Sequence, residues 1–161
     1  RPTATADKKR LTAQLYSDRT PMRALLQGGL EEARKQGGNI ANSVAMGYCF
    51  GGSAVLEWAR AGVDLKGFVS FHGGLETPVG QDYRAVKGDL LVLHGTADAS
   101  VSMAQFAALA ETLEQQGRRH EMITYSGAPH AFTVFGTDRY REDADRKSWQ
   151  RFVAFLAEAT R

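Results

Sequence analysis

The chain has 161 residues, a length that suits one domain with a substantial hydrophobic core. A hydrophobic content of 43% and a charged content of 24% are ordinary for a globular protein. The net charge of +2 comes without a long basic run, so neither nucleic acid nor an anionic membrane is indicated as a partner. No stretch contains the roughly 18 consecutive apolar residues that cross a bilayer.

The start of the chain predicts that a segment is missing. Arg1 stands where an initiating Met is expected, and no signal-peptide pattern follows it. We therefore expect an N-terminal piece to precede this sequence. The single cysteine fits a reducing cytoplasm, which is the predicted location, while a periplasmic location stays open because the native N-terminus is not visible.

The spacing of apolar residues predicts helices and strands that alternate along the chain. Residues 1–19 are polar, and we expect a loop and a short helix there. Beyond them, helical spacing covers 22–36, 53–61, 103–116 and 142–158, and short apolar runs typical of strands cover 43–48, 67–71, 90–94 and 120–125. These runs are apolar enough to be buried on both faces, as parallel strands are. The pattern predicts an α/β fold, a mostly parallel sheet flanked by helices, in a single domain over residues 1–161.

The main motif is Gly47-Tyr48-Cys49-Phe50-Gly51, between a predicted strand and a predicted helix. Glycines on either side of a central nucleophile allow a sharp strand-to-helix turn that lifts the side chain above the sheet. The helix N-terminus favours a thiolate at Cys49, and the N–H of Phe50 is expected to point at a developing oxyanion. On the motif alone, Cys49 is equally compatible with a small buried core residue, and the turn with a phosphate site.

A cysteine nucleophile needs a base, and the base needs a group that orients it. In parallel sheets the chemistry lies at the carboxyl ends of the strands. Asp98 follows the strand 90–94, and His130 follows the strand 120–125, so both are expected at the same edge as Cys49. The three residues also occur in the chain order nucleophile, acid, histidine that α/β-hydrolases use. We therefore predict a Cys49–His130–Asp98 triad.

Other acidic and imidazole side chains are less well placed. Asp89 and His120 come at the beginning of their strands, at the wrong edge, and His94 is expected to pack in the core. His72 follows the strand 67–71 at the correct edge, but it precedes the acid in sequence and does not fit the triad order. We interpret it as a wall of the pocket or a loop-stabilising hydrogen-bonding group. Asp98 and His130 each have an ordinary alternative, as a turn or cap residue and as an exposed loop residue respectively.

With these residues placed, the chain resembles the dienelactone hydrolase family of α/β-hydrolases. The resemblance runs from about Lys8 to the end and is carried by four motifs, namely Gly47-Tyr48-Cys49-Phe50-Gly51-Gly52, Ser70-Phe71-His72-Gly73-Gly74-Leu75, Leu93-His94-Gly95-Thr96-Ala97-Asp98 and Pro129-His130-Ala131-Phe132. It implies Cys49 as nucleophile, His130 as base and Asp98 as its orienter. We also predict that Tyr48, His72 and Phe132 line the substrate pocket.

The resemblance implies a hydrolase that cleaves small carboxylic esters or lactones through a thioacyl-enzyme, without a metal or another cofactor. Family members carry a further N-terminal segment with the first strands and a second oxyanion donor, and we expect that part of the sheet to be missing here. The best-known enzymes of the family also bind the substrate carboxylate with arginines, one of them shortly after the catalytic histidine. Thr133 and Val134 stand there instead, which makes a dienelactone a doubtful substrate.

Two further hypotheses belong to other classes of function. A hydrolase-fold fragment without the second oxyanion donor could serve as a non-catalytic binding or dimerisation module, and a homodimer is a possible assembly in either case. A redox sensor that uses Cys49 lacks a resolving cysteine and ranks last. Reaction of the thiol with iodoacetamide below pH 8 would favour the enzyme, because an inert core cysteine stays protonated and buried.

Overall fold

The computed structural model describes residues 4–161, which divide into two compact units with the boundary after Ile40. The first unit contains α1 (Thr5–Ser17) and α2 (Arg19–Lys35). Among the described residues, 4–19 are therefore more helical than the loop and short helix that the polar sequence of 1–19 predicts. The helix α2 begins before the predicted start at 22, because the Asp18 carboxylate accepts a hydrogen bond from the Thr20 N–H and caps it. A single domain over residues 1–161 stays a prediction.

The second unit, residues 41–161, is built around a four-stranded parallel sheet. Its strands are β1 (Val44–Tyr48), β2 (Gly67–Phe71), β3 (Asp89–Gly95) and β4 (His120–Tyr125), and they lie side by side in chain order. All of β2 is buried, as is β3 after its first residue, which explains their continuous apolar sequences. The predicted fold class, a mostly parallel sheet flanked by helices, is confirmed.

Helices cover both faces of this sheet. The helices α3 (Phe50–Arg60) and α4 (Met103–Gln115) lie on one face, where the ring of His94 stacks on Phe106 of α4. The helix α5 (Glu142–Ala159) lies on the other face and contributes Phe152 and Phe155 to the core there. Alternate residues of the strands serve the two faces, as the pleat requires. None of the helices described in residues 4–161 combines the length and apolar character of a bilayer span.

The sheet fixes where the loops begin. All four strands run in the same direction, so the segments after Tyr48, Phe71, Gly95 and Tyr125 leave from the same edge. The helix α3 follows β1 after a single residue, three positions earlier than the helical spacing predicts. This direct strand-to-helix junction leaves one residue, Cys49, to make the whole turn.

Candidate active site

Cys49 has an unusual backbone because it makes the turn between β1 and α3 alone. Its φ of 50° and ψ of −119° lie in a region that L-residues rarely adopt. The turn is held by hydrogen bonds that the Cys49 N–H donates to the Phe71 carbonyl, at 3.0 Å, and that the Ser53 N–H donates to the Cys49 carbonyl, at 3.2 Å. The Cys49 residue is half-buried.

The two glycines of the motif, Gly47 and Gly51, differ in how much space surrounds them. A Cβ on Gly47 would lie 2.2 Å from the Gly51 carbonyl oxygen, so strand and helix approach too closely for any side chain at Gly47. A Cβ on Gly51 would meet nothing within 4 Å. Gly52, rather than Gly51, is the second restricted position, because its Cβ would lie 3.0 Å from the Gly73 backbone. The expectation that both motif glycines prevent a clash holds for Gly47 alone.

Two imidazole rings lie beside the Cys49 sulfur. The sulfur is 3.3 Å from Nδ1 of His72. The sulfur, a ring nitrogen of His72 and a ring nitrogen of His130 all lie within 4.8 Å of one another. The two rings pack edge to face, with their centroids 5.5 Å apart. The structure thus brings Cys49 and His130 together, and it adds a second histidine to the cluster.

Asp98 holds the ring of His130 from the far side. Its Oδ2 lies 2.8 Å from Nδ1 of His130, so the ring donates Nδ1–H to the carboxylate and turns Nε2 away from it. The other oxygen, Oδ1, accepts hydrogen bonds from the N–H groups of Ser100 and Val101, at 2.8 and 2.9 Å. The Asp98 side chain is fully buried, whereas that of His130 is 24% exposed. The carboxylate is therefore fixed, and it fixes the tautomer of the ring.

The charges of this cluster favour a thiolate beside a protonated imidazole. Burial by itself raises the pKa of the Cys49 thiol, but hydrogen bonding from His130 and His72 and the charges of both rings lower it to about 6. Hydrogen bonding to Cys49, and then the contact with Asp98, outweigh burial and raise the pKa of His130 to about 9. Between these two values the stable pair is the Cys49 thiolate and the His130 imidazolium.

His72 is more closely integrated than its sequence position indicates. The side chain of His72 is buried, and its backbone has a φ of 40°. The backbone N–H of His72 donates to the Leu93 carbonyl at 2.8 Å. Its Nε2 lies 2.8 Å from the hydroxyl oxygen of Thr133. The parallel register pairs Tyr48 with Phe71, so the next residues along the two strands, Cys49 and His72, are neighbours. The contact between Cys49 and His72 could have been predicted from this register, but only if β1 and β2 were known to be adjacent strands.

The other predicted pocket residues lie around the same cluster. Tyr48 is 38% exposed and stacks on Phe71, while Phe132 is fully buried with its ring centroid 5.1 Å from that of His72. Phe50 is the first residue of α3, next to the sulfur-bearing turn. Roles for Tyr48, His72 and Phe132 in a pocket, and for Phe50 at an oxyanion, stay predictions.

The residues set aside on sequence grounds lie elsewhere. Asp89 and His120 are the first residues of β3 and β4, at the amino edge of the sheet. His94 is buried against Phe106, and burial lowers its pKa.

Comparison with known proteins assigns the class. The model of the dienelactone hydrolase family matches residues 1–160, and the chain belongs to that family. A Caenorhabditis elegans relative, uncharacterized protein K02A2.1, is 30% identical over 124 residues, which are 71% of this chain and 78% of the relative. A Salmonella typhimurium relative, named "Putative carboxymethylenebutenolidase", is 25% identical over 134 residues, which are 78% of this chain and 50% of the relative.

A solved structure gives the same assignment. The dienelactone hydrolase-like promiscuous phosphotriesterase P91 from metagenomic libraries superimposes with a TM-score of 0.87 at 27% identity. That match covers 96% of this chain and 68% of P91. The chain spans about half the length of most of the curated relatives that it matches.

Proposed function

We propose that this chain hydrolyses small carboxylic esters or lactones, with Cys49 as nucleophile, His130 as general acid and base, and Asp98 as the group that orients His130. One observation carries the proposal: a fixed carboxylate lies 2.8 Å from an imidazole whose other nitrogen faces a thiol on a left-handed turn. Membership of a hydrolase family supports it. The lowered pKa of Cys49 supports it further, since the thiolate is the attacking species.

The first half of the reaction forms a thioester. The Cys49 thiolate forms a bond to the carbonyl carbon while the carbonyl π electrons move onto oxygen, and the N–H of Phe50 stabilises that oxyanion. Collapse restores the carbonyl and breaks the bond to the alkoxide, which takes the proton from Nε2 of His130. The resting imidazolium has this proton ready, so no separate activation of the thiol is needed.

The second half returns the enzyme to its starting state. Neutral His130 removes a proton from water, the hydroxide adds to the thioester carbon, and collapse expels the Cys49 thiolate. The acid then ionises, so the net change is ester plus water to carboxylate, alcohol and one proton. Asp98 keeps His130 Nε2 directed at the reacting atoms in both halves. His72 donates to the sulfur and is proposed to hold it in place between attacks.

Removal of the sulfur tests the proposal. Cys49→Ala is expected to lower hydrolysis of p-nitrophenyl acetate to the uncatalysed rate, because no other nucleophile replaces the thiolate. His120→Gln, at the opposite edge of the sheet, is the matched control and should keep the parental rate. Circular dichroism of each variant checks that the fold is retained. A folded Cys49→Ala variant that turns over substrate like the parent would rule out the proposed nucleophile.

The thioester itself can be captured. After rapid mixing with p-nitrophenyl acetate and an acid quench, the peptide that contains Cys49 should carry the mass of one acetyl group. The His130→Gln variant should accumulate this species, because water is no longer activated for the second half. Acetylation of other residues at the same rate in Cys49→Ala would contradict a thioacyl intermediate.

The likeness to P91 favours a second class of substrate at the same sulfur. P91 is described as a promiscuous phosphotriesterase and shares 27% identity with this chain. We propose phosphotriesters as slow alternative substrates, attacked by the same thiolate. Release of p-nitrophenol from paraoxon by the parent, and its loss in Cys49→Ala, is the expected result. Absence of release from the parent would limit the chain to carboxylic esters.

A further inference from the structure

The three groups around the Cys49 sulfur are also a set of metal ligands. The sulfur and one ring nitrogen each of His72 and His130 lie within 4.8 Å of one another. A tetrahedral zinc site, with Zn–S near 2.3 Å and Zn–N near 2.0 Å, has ligand atoms roughly 3.5 Å apart. The sulfur and His72 Nδ1 already lie at 3.3 Å. Only His130 has to move closer, and its side chain, at 24% exposed, is less tightly enclosed than the buried ring of His72.

Each imidazole contacts an oxygen through the ring nitrogen that faces away from the sulfur, as the histidines of zinc sites do. The Asp98 carboxylate accepts from Nδ1–H of His130, at 2.8 Å, which leaves Nε2 for the metal. The hydroxyl oxygen of Thr133 lies 2.8 Å from Nε2 of His72. When the sulfur binds a metal it no longer accepts from Nδ1–H of His72, so the ring carries its proton on Nε2, donates it to the Thr133 hydroxyl and leaves Nδ1 for the metal. In the proposed hydrolysis His72 only supports the sulfur, whereas a three-ligand metal site uses both imidazoles directly.

We propose that this chain binds one Zn²⁺ ion through Cys49 Sγ, His72 Nδ1 and His130 Nε2, with water in the fourth position. A thiolate and two imidazoles are soft and borderline donors that suit Zn²⁺ and exclude Mg²⁺ and Ca²⁺. Cys49 binds as the thiolate and both rings as neutral imidazoles, so binding releases the protons that they carried. The ion takes up the lone pairs with which Cys49 and His130 act in the proposed hydrolysis.

Binding of Zn²⁺ therefore switches the site off. A sulfur coordinated to zinc is a poorer nucleophile for the ester, and His130 bound through Nε2 can neither give nor take a proton. This consequence rests on the proposed function, but the binding site does not. If the chain proves to have no esterase activity, the zinc site is still measurable by direct binding.

Direct titration with the full chain tests the site. Competition against a chromogenic zinc chelator should give one Zn²⁺ per chain, and Co²⁺ in its place should give a sulfur-to-cobalt charge-transfer band in the near ultraviolet. Cys49→Ser should lose that band. His72→Gln should weaken Zn²⁺ binding by more than about 100-fold, since a lost ligand costs more than a lost outer-shell partner. His120→Gln, a histidine outside the cluster, should bind like the parent.

Thr133→Val keeps the test decisive if His72→Gln fails to fold. The valine has nearly the shape of threonine but cannot accept from His72 Nε2, so Zn²⁺ affinity should fall by about 10-fold. Thr133→Ser should restore it. A parent without the cobalt–sulfur band would overturn the proposal. So would zinc affinities in Thr133→Val and in folded His72→Gln equal to that of the parent.

Discussion

Backbone strain at single residues is concentrated around the sulfur. Three non-glycine residues among those described, 4–161, have positive φ values: Cys49, His72 and Ala131, at 50°, 40° and 64°. Each such conformation costs about 1–3 kcal/mol and persists only where the surrounding structure enforces it. Two of the three carry the cluster itself, and the third follows His130. Strain of this kind is concentrated at functional sites, and here two of the three strained residues carry side chains of one cluster.

The pH dependence of Cys49 reactivity follows from its pKa of about 6. The rate of alkylation by iodoacetamide should rise as the pH increases through about 6, because the thiol loses its proton there. The His130→Gln variant should shift this midpoint upward, since a neutral amide stabilises the thiolate less than an imidazolium does. A midpoint near the ordinary cysteine value of 9.0 in the parent would contradict the lowered pKa.

The pH profile for hydrolysis of an alkyl ester should show a second transition, at higher pH than the one set by Cys49. In the proposed mechanism the alkoxide leaving group takes the His130 proton, which is lost as the pH rises through about 9. The expected profile of kcat/KM is therefore a bell with limbs near 6 and 9. A p-nitrophenyl ester is the matched control, because its leaving group needs no proton and its upper limb should be weaker. Identical profiles for both esters would argue against His130 as general acid.

Asp98→Asn separates the two duties of this carboxylate. The asparagine Oδ1 can still accept from Ser100 and Val101, so the loop should keep its shape and the melting temperature should change little. The amide nitrogen that faces His130 cannot accept from Nδ1–H, so the ring adopts the wrong tautomer. We expect kcat for p-nitrophenyl acetate to fall by about 10⁴-fold, because the wrong tautomer cannot remove a proton from water in the second half of the reaction. A variant of parental activity would show that Asp98 is a loop residue only.

At the scale of the elements, the junction of β1 and α3 depends on one glycine more than on the other. Gly47→Ala would place a Cβ 2.2 Å from a backbone oxygen and should destabilise the fold by about 1–3 kcal/mol. Gly51→Ala is the matched control, because its Cβ has open space, and it should fall within about 1 kcal/mol of the parent, on the stabilising side. Urea unfolding measures both. Equal losses in the two variants would contradict the close approach at Gly47.

The same elements show what a sequence can predict. The sequence located all four strands to within a residue or two. The reason holds fully for β2 and β3, whose burial leaves little choice of composition, whereas β1 and β4 are mostly half-buried, contrary to the expectation of burial on both faces. Strand ends then placed Cys49, Asp98 and His130 at one edge. The contact between Cys49 and His72 was missed, because chain order excluded His72 from the triad, whereas register decides which side chains touch. A φ of 40° at a histidine has no sequence signal at all.

At the scale of the whole molecule, a buried ionic network attaches the long segment between β2 and β3, which has no helix of its own, to α3. The Arg60 guanidinium lies 2.9 Å from the Glu57 carboxylate, with both side chains almost completely buried. Arg60 also donates to the Tyr83 hydroxyl and to the Gln81 side-chain oxygen, and the Gln81 amide donates to Glu57. Every charged group in this network has a partner, as burial of charge requires.

Glu57→Gln should therefore destabilise the entire fold by about 3–5 kcal/mol, because the Arg60 charge stays buried without its counter-ion. The matched control is Asp143→Asn, which removes an exposed carboxylate from the same i,i+3 pairing with an arginine and should cost less than about 1 kcal/mol. Urea unfolding monitored by circular dichroism measures both losses. Such a loss is a large share of the roughly 5–15 kcal/mol that holds a domain together, so Glu57→Gln should also lower the yield of folded protein. Equal midpoints for the two variants would mean that Arg60 finds water or another partner once Glu57 is neutral.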